Sequence, residues 1–262
     1  MTHPYFDGAP WPRVLAHRGL TIAEGEDPSH AVFDNSALAI AAAHACGVAY
    51  IETDCRRTAD GDVVLFHDAD LSRLFGDPRP VTSVRTAELA ALFAEHGGLL
   101  TLREALESFP TLRFNVDVKD ATAAEAAGSA VSPHAHRVLL TSFSDATRRR
   151  AVAAAVDAGA EIAPAASPGR SGIARARALA ALPGDRIAGR VLAGIDALQI
   201  PVRYGRVPVF SPSLVRAARA AGVEVHVWTV NEAADMAALV AAGADGVVTD
   251  RADVALRVLA PS

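Results

Sequence analysis

Short apolar runs alternate with alanine-rich stretches along nearly the whole chain, and this alternation limits the fold more than any other feature of the sequence. The patterning predicts strands at 14–17, 49–54, 112–118, 137–142, 160–164, 197–201, 223–230 and 246–249, with helices at 35–46, 101–109, 144–158, 173–181, 212–221 and 232–241. Several alanine-rich runs end in Gly47, Gly159, Gly222 or Gly243. Glycine closes helices because it enters left-handed backbone without a Cβ clash, and here the next strand starts within a few residues. Ser211-Pro212 reads as an N-cap followed by a first-turn proline. Strands separated by helices build parallel βαβ units. The 262 residues suit closure into an α/β fold of the (β/α)8 TIM-barrel type, which commonly takes about 250 residues. An open doubly wound sheet is the alternative, disfavoured because no Gly-x-Gly-x-x-Gly follows the first strand. Residues 63–100 break the rhythm with a strand-like run at 63–67, turns, and a short helix near 86–93. They predict a small insertion after the second strand, about 68–100, within a single domain spanning 1–262. No linker rich in Pro, Gly or Ser divides the chain.

Bulk charge narrows the partners. A formal charge of −5 argues against nucleic acid, which calls for a basic footprint, and leaves room for a small anionic substrate held by a local cluster of cations. Cys46 and Cys55 supply neither a disulfide framework nor a zinc cluster and are expected to be small buried or half-buried residues. No stretch approaches the roughly 20 apolar residues of a membrane span, and the opening MTHPYFDGAPWP lacks signal-peptide character. The expectation is a cytoplasmic protein without stable membrane insertion, its oligomeric state open.

The polar residues fall where barrel chemistry sits. His17 and Arg18 end the first strand, Glu52 and Asp54 the second, and Asp117 and Lys119 the third. Strand side chains alternate, so Glu-x-Asp and Asp-x-Lys each present both charges to one face. Barrel strands bring such ends together at their C-terminal face. Each piece has a plainer reading: His17 as a hydrogen-bonded strand end, Glu52 and Asp54 as partners of Arg56 and Arg57, Asp117 and Lys119 as an internal ion pair, Asp68 as a turn cap after His67. Together they are an expensive way to build a core, because buried charge demands partners. Glu52, Asp54 and Asp117 offer hard oxygens for Mg2+ or Ca2+, while zinc lacks its His/Cys spacing. Arg18 and Lys119 suit phosphate, and His17 and His67 suit acid and base duty. The sum points to phosphoryl transfer.

These residues resemble the glycerophosphodiester phosphodiesterase family. The likeness runs through Leu15-Ala16-His17-Arg18-Gly19, Asp34-Asn35-Ser36, Gly47 to Asp54, Thr58 to Asp68, Thr101 to Leu106, Asn115 to Lys119, Thr141-Ser142-Phe143, Val227 to Asn231 and Gly243 to Asp250. The resemblance implies a TIM barrel with a small inserted subdomain, a divalent cation, and a glycerophosphodiester substrate such as the choline or ethanolamine ester. It implies release of an alcohol and sn-glycerol 3-phosphate, and with it a place in lipid and glycerol metabolism. It assigns His17 and His67 as the acid/base pair, Glu52, Asp54 and Asp117 to the metal, and Arg18 and Lys119 to the phosphate. Trp228 then lines the glycerol or leaving-group side, with Phe143 a weaker candidate.

Two departures stand out against the family pattern. Asp117 replaces the usual Glu, one carbon shorter. Asp34-Asn35-Ser36 replaces Glu-Asn-Thr and follows a long loop, 20–33, which is expected over the site mouth as a lid or as a tolerated surface insertion. Two further functions compete with glycerophosphodiester hydrolysis: lysophospholipase D-type cleavage, favoured if the mouth is apolar, and a barrel that binds phosphodiesters without cleaving them, for which Asp117 is the only support. Gln199, Asp245 and Asp250 have equal claims as substrate contacts or as structural groups.

Overall fold

The computed structural model describes residues 2–23, 25–27, 31–181 and 191–260. In chain order the strands are β1 Arg13–His17, β2 Tyr50–Arg57, β3 Val63–Leu65, β4 Asp70–Leu71, β5 Asp77–Pro80, β6 Arg113–Val118, β7 Val138–Thr141, β8 Ala165–Ala166, β9 Ala197–Pro201, β10 Arg203–Tyr204, β11 Val207–Pro208, β12 Glu224–Trp228 and β13 Gly246–Thr249. Eight of them pair in the order β8-β7-β6-β2-β1-β13-β12-β9, all parallel. The result is a nearly closed (β/α)8 barrel. At the seam between β8 and β9, hydrogen bonds outside the strand ladder join the edges. The Asp196 N–H donates to the Ala166 carbonyl (2.9 Å), the Ala166 N–H to Asp196 Oδ2 (2.9 Å) and the Gln199 N–H to Ser167 Oγ (3.1 Å).

Strand alternation sorts the core into two layers. Val14, Ala16, Ile51, Phe114, Val116, Leu198 and Val247 face the helices, whereas Leu15, Tyr50, Leu139, Ala197 and Val248 face inward and pack with Tyr5 and Phe6. The inner cluster fills the end where the strands begin. Two and four residues farther along the same inner faces come His17, Glu52 and Asp54.

Some expectations shift. β8 lies at Ala165–Ala166 rather than 160–164, because the preceding helix Asp145–Asp157 leaves residues 161–163 exposed on the way back to the sheet. Its alanines carry none of the β-branched or aromatic bulk that marks a strand. The helix Ala124–Val131 was hidden by Gly128, which looks like a breaker. A Cβ there would stand 2.2 Å from the Ala151 carbonyl oxygen, so glycine lets this helix lie against Asp145–Asp157. Cys55 is buried, but Cys46 is exposed just past the helix Ala37–Ala45, correcting its expected burial. No helix among the described residues is long and apolar enough to cross a membrane.

The insertion begins earlier than residue 68. β2 runs on to Arg57 and pairs antiparallel with β3, and β4 pairs with β5. Val64, Phe66, Leu71, Val81, Val84, Leu89 and Phe93 form a separate core, each burial stabilising by roughly 1.5–3 kcal/mol. The chain rejoins the barrel at the helix Leu102–Ser108, whose Thr101 and Glu104 form a capping box. A second excursion, the β10–β11 hairpin, has strands too short to show alternation in sequence.

Candidate active site

The parallel register sets the charged residues side by side. His17 pairs with Glu52, Glu52 with Asn115, Asp54 with Asp117, and Asp117 with Thr141 across neighbouring strands. All face a cavity of about 640 Å³ at the C-terminal end of the barrel, which Arg18, His67, Lys119, Gln199 and Trp228 also line. The eight residues given catalytic, phosphate, alcohol or metal roles from the sequence are thus gathered at one opening, together with Gln199 but not Asp245 or Asp250. Arg18 takes left-handed backbone (φ 59°) as the chain turns off β1. The next residue must be glycine: at φ 93°, a Cβ on Gly19 would fall 2.5 Å from the backbone of Ala39.

Asp54 is the electrostatic centre. Lys119 Nζ lies 2.7 Å from its Oδ1, Arg18 Nε 2.9 Å from its Oδ2, and Asn35 Nδ2 donates to Oδ2 at 3.1 Å. Asn35 is itself buried, accepts from Thr53 Oγ1 (2.7 Å), and has φ 61°, a conformation asparagine tolerates. Burial works to raise the Asp54 pKa, but the Lys119 and Arg18 charges win and hold it below the ordinary carboxylate value. Glu52 is pushed up to about 8, first by burial and then by the Asp54 charge. Burial likewise raises Asp117, against the pull of Lys119. Lys119 bridges the two acids, 2.7 Å from Asp117 Oδ2 as well, so the ion pair within Asp-x-Lys is real. Arg56 instead donates to the His67 carbonyl and pairs with Asp120.

Four buried acceptors of this cavity have no hydrogen-bond partner among the described residues: Gln199 Oε1 on β9 and, on the adjacent strands β2 and β6, Glu52 Oε2, Asn115 Oδ1 and Asp117 Oδ1. Unsatisfied hard oxygens on adjacent strands fit the chemistry of Mg2+ or Ca2+. They are not drawn into a ready-made cluster: among the described residues no group of three His, Cys, Asp or Glu side chains is arranged to hold a metal. Lys119 takes the position between two of the three expected carboxylates.

Each histidine is held by its Nδ1. His17 Nδ1 is 2.6 Å from Asp250 Oδ1, and His67 Nδ1 is 2.7 Å from Asp68 Oδ1. Both Nε2 atoms are left to exchange protons, His17 Nε2 lying 3.8 Å from Glu52 Oε2. Burial tends to lower the His17 pKa, but the Asp250 hydrogen bond and the Glu52 charge outweigh it and raise it above the ordinary value. Asp250 is oriented by Asn231, whose Nδ2 donates to its Oδ2 at 2.8 Å. Asp245 has no such part, since its carboxylate accepts from the Val225 N–H near the start of β12. On the other side, Arg73 of the insertion pairs with Asp68 (2.5 Å) and Asp34 (3.0 Å), and Asp34 pairs with Arg18 (2.8 Å).

The loop expected over the mouth contributes none of its described residues to the main cavity, and its end is anchored to the insertion. Phe33 stacks on His96 with ring centres 4.2 Å apart and meets Phe75 and Phe93 edge-on. Glu24 and His30 of this loop lie outside the described residues. A polar recess of about 270 Å³ is lined by His17, Arg18, Thr21, Asp34, Arg73 and Asp250. Across the main cavity, Trp228 and Phe143 stand with ring centres 6.4 Å apart. Four side chains of the helix Arg170–Ala180 complete that wall: Arg170, Ile173, Ala174 and Arg177. Their spacing is visible in the sequence, but it is indistinguishable there from an ordinary helix face.

The model of the glycerophosphoryl diester phosphodiesterase family matches residues 17–254. A Mycobacterium tuberculosis protein described as "Probable glycerophosphodiester phosphodiesterase 2" is 37% identical over 254 residues, covering 94% of this chain and 90% of the relative. The glycerophosphodiester phosphodiesterase of Agrobacterium tumefaciens is similar in structure with a TM-score of 0.69 at 21% identity, covering 94% of this chain and 98% of that one. An Oleispira antarctica phosphodiesterase, solved in complex with the product sn-glycerol-3-phosphate, gives a TM-score of 0.70 at 22% identity, covering 96% and 98%. At such identities the two structures speak to the fold, a barrel of the same kind.

Proposed function

The chain belongs to the glycerophosphoryl diester phosphodiesterase family, and from that premise we propose that it hydrolyses a glycerophosphodiester to an alcohol and sn-glycerol 3-phosphate. The observation that carries this reading is the convergence of His17 and His67, each with Nδ1 on a carboxylate, on a cavity shared with Arg18 and Lys119. The Oleispira relative holds sn-glycerol-3-phosphate, the product expected here.

In this reading Arg18 and Lys119 hold the phosphate. The glycerol 2-hydroxyl attacks phosphorus and gives its proton to one histidine Nε2, while the other histidine protonates the alcohol oxygen as its bond to phosphorus breaks. Water then opens the cyclic phosphate with the two roles exchanged. Glu52, Asp54 and Asp117 are the residues to hold a divalent cation, and the unsatisfied oxygens of Glu52 and Asp117 support that choice. Such a cation supplies charge neutralisation at the phosphate oxygens. Asp68 and Asp250 stabilise each imidazolium as it forms.

Purified protein supplied with Mg2+ or Ca2+ should release sn-glycerol 3-phosphate from soluble glycerophosphodiesters and lose that activity in EDTA. Undiminished turnover by the double variant His17→Ala/His67→Ala would falsify the acid/base assignment. Lysophospholipase D-type cleavage is a second reading with one observation in its favour. Phe143, Tyr204 and Val207, which line the cavity, are 49%, 69% and 50% exposed and make its rim apolar. Comparing lysophosphatidylcholine with glycerophosphocholine as substrates separates the two.

A further inference from the structure

The main cavity has two halves of different character, one where acids and bases are paired with one another and one where, among the described residues, the arginines stand without acids. One holds Glu52, Asp54 and Asp117. The other is walled by Arg170, Ile173, Ala174 and Arg177, which recur at i, i+3, i+4 and i+7 and therefore share one face of their helix. No carboxylate lines that second half. The β10–β11 hairpin closes it, and Arg177 ties the hairpin down by donating from Nε to the Pro208 carbonyl (2.6 Å). Among the described residues neither Arg170 nor Arg177 pairs with an acid. Arg170 lies instead over the Phe143 ring, 4.2 Å from its centroid, and Lys119 Nζ is 5.3 Å from the same ring.

A cationic alcohol meets two obstacles here. The Phe143 face, one of the aromatic surfaces open to an ammonium in this half, is already covered by a guanidinium. Two further charges of like sign, Lys119 and Arg177, repel it. An anionic group finds the reverse: two guanidiniums that pair with no acid among the described residues, the side chain best suited to phosphate or carboxylate. Glycerol, small and uncharged, has no use for either arginine, so the variable alcohol is the substituent that belongs in this half. Building on the phosphodiesterase reading above, we propose that Arg170 and Arg177 select glycerophosphodiesters whose alcohol carries its own phosphate or carboxylate. The choline and ethanolamine esters, examples of the same substrate class, would then be the poorer substrates.

Three soluble substrates test this through the charge of the alcohol: glycerophosphocholine, glycerophosphoinositol and glycerophosphoinositol 4-phosphate, each followed by release of sn-glycerol 3-phosphate. The phosphorylated inositol ester should exceed the choline ester in kcat/KM by about tenfold or more, a factor that two partly exposed ion pairs supply. Added salt should narrow the gap. Arg170→Gln/Arg177→Gln should bring the ratio close to one, and Arg170→Lys/Arg177→Lys should keep the order. Choline ester turned over as fast as the inositol phosphate ester, or a ratio untouched by the Gln pair, overturns the proposal. No sn-glycerol 3-phosphate from any of the three overturns the phosphodiesterase reading itself.

Discussion

Asp250→Asn is the most informative single change because its consequence follows from hydrogen-bond polarity alone. Asn231 Nδ2 donates to Asp250 Oδ2, and His17 Nδ1 sits on Oδ1. An asparagine at 250 must keep its carbonyl oxygen toward Asn231, so its NH2 turns to His17 Nδ1. That nitrogen then has to accept, which places the proton on Nε2 and fixes the wrong tautomer for a base. Where a buried aspartate fixes a catalytic histidine, such a change costs about 10⁴ in kcat. Asp250 is 49% exposed, so water competes for Nδ1 and the cost is smaller, about 10² in kcat/KM. The pH profile adds an independent readout. Burial lowers the His17 pKa and Asp250 with Glu52 more than restores it, so removing the Asp250 charge moves the His17 limb to lower pH. That direction holds whether His17 first takes or first gives the proton. Steady-state kinetics across pH, with 15N shifts of the His17 ring to read the tautomer, decide the matter. Activity within threefold of wild type, or an Nδ1-protonated ring in the variant, would refute this reasoning.

Three other outcomes are expected. Asn35→Ala removes the buried amide that holds Asp54 and Thr53 and forces alanine to φ 61°; it should destabilise by about 3 kcal/mol in urea unfolding, and Asn35→Gly by less. A loss under 1 kcal/mol for the alanine variant would contradict the buried network. Burial tends to raise Glu224, but hydrogen bonds from His226 and Arg13 hold it below the ordinary glutamate value. Its folded pKa lies below its unfolded one, so its stabilisation is complete above the unfolded value and fades as pH falls through the folded value. Glu224→Gln should therefore flatten the decline of Tm below about pH 4.3, and an unchanged acid limb would count against the pairing. Lys119 is the only lysine in the sequence, and although burial lowers its pKa, Asp54 and Asp117 raise it above the ordinary value. It should resist acetic anhydride at pH 8 in the folded protein and react after unfolding, as read by peptide mass. Ready acylation of the folded protein would place its ammonium outside the site.

What the sequence displayed and what it concealed divide along a physical line. A parallel barrel strand is covered on both sides, so a charge every second residue stands out against apolar neighbours. Glu52-x-Asp54 and Asp117-x-Lys119 were legible for that reason. β8 was misplaced because two alanines at a barrel seam carry no such contrast. The groups that orient the site obey a different rule, since a partner need only be near in space. Asp250 meets His17 across 233 positions, with no period to announce it. Asp68 sits beside His67 in the chain, yet its role depends on Arg73 fixing its other oxygen, which the insertion's fold decides. The Arg170–Arg177 stripe is the reverse case: its spacing is plain, but only closure of the barrel turns that face toward the cavity. The sequence therefore exposes the groups proposed to touch the phosphodiester more readily than those proposed to select it. Relatives sharing His17, Glu52, Asp54 and His67 should for that reason diverge in leaving group through the helix at 170–180 and the hairpin facing it, where neither fold nor chemistry holds the residue type fixed.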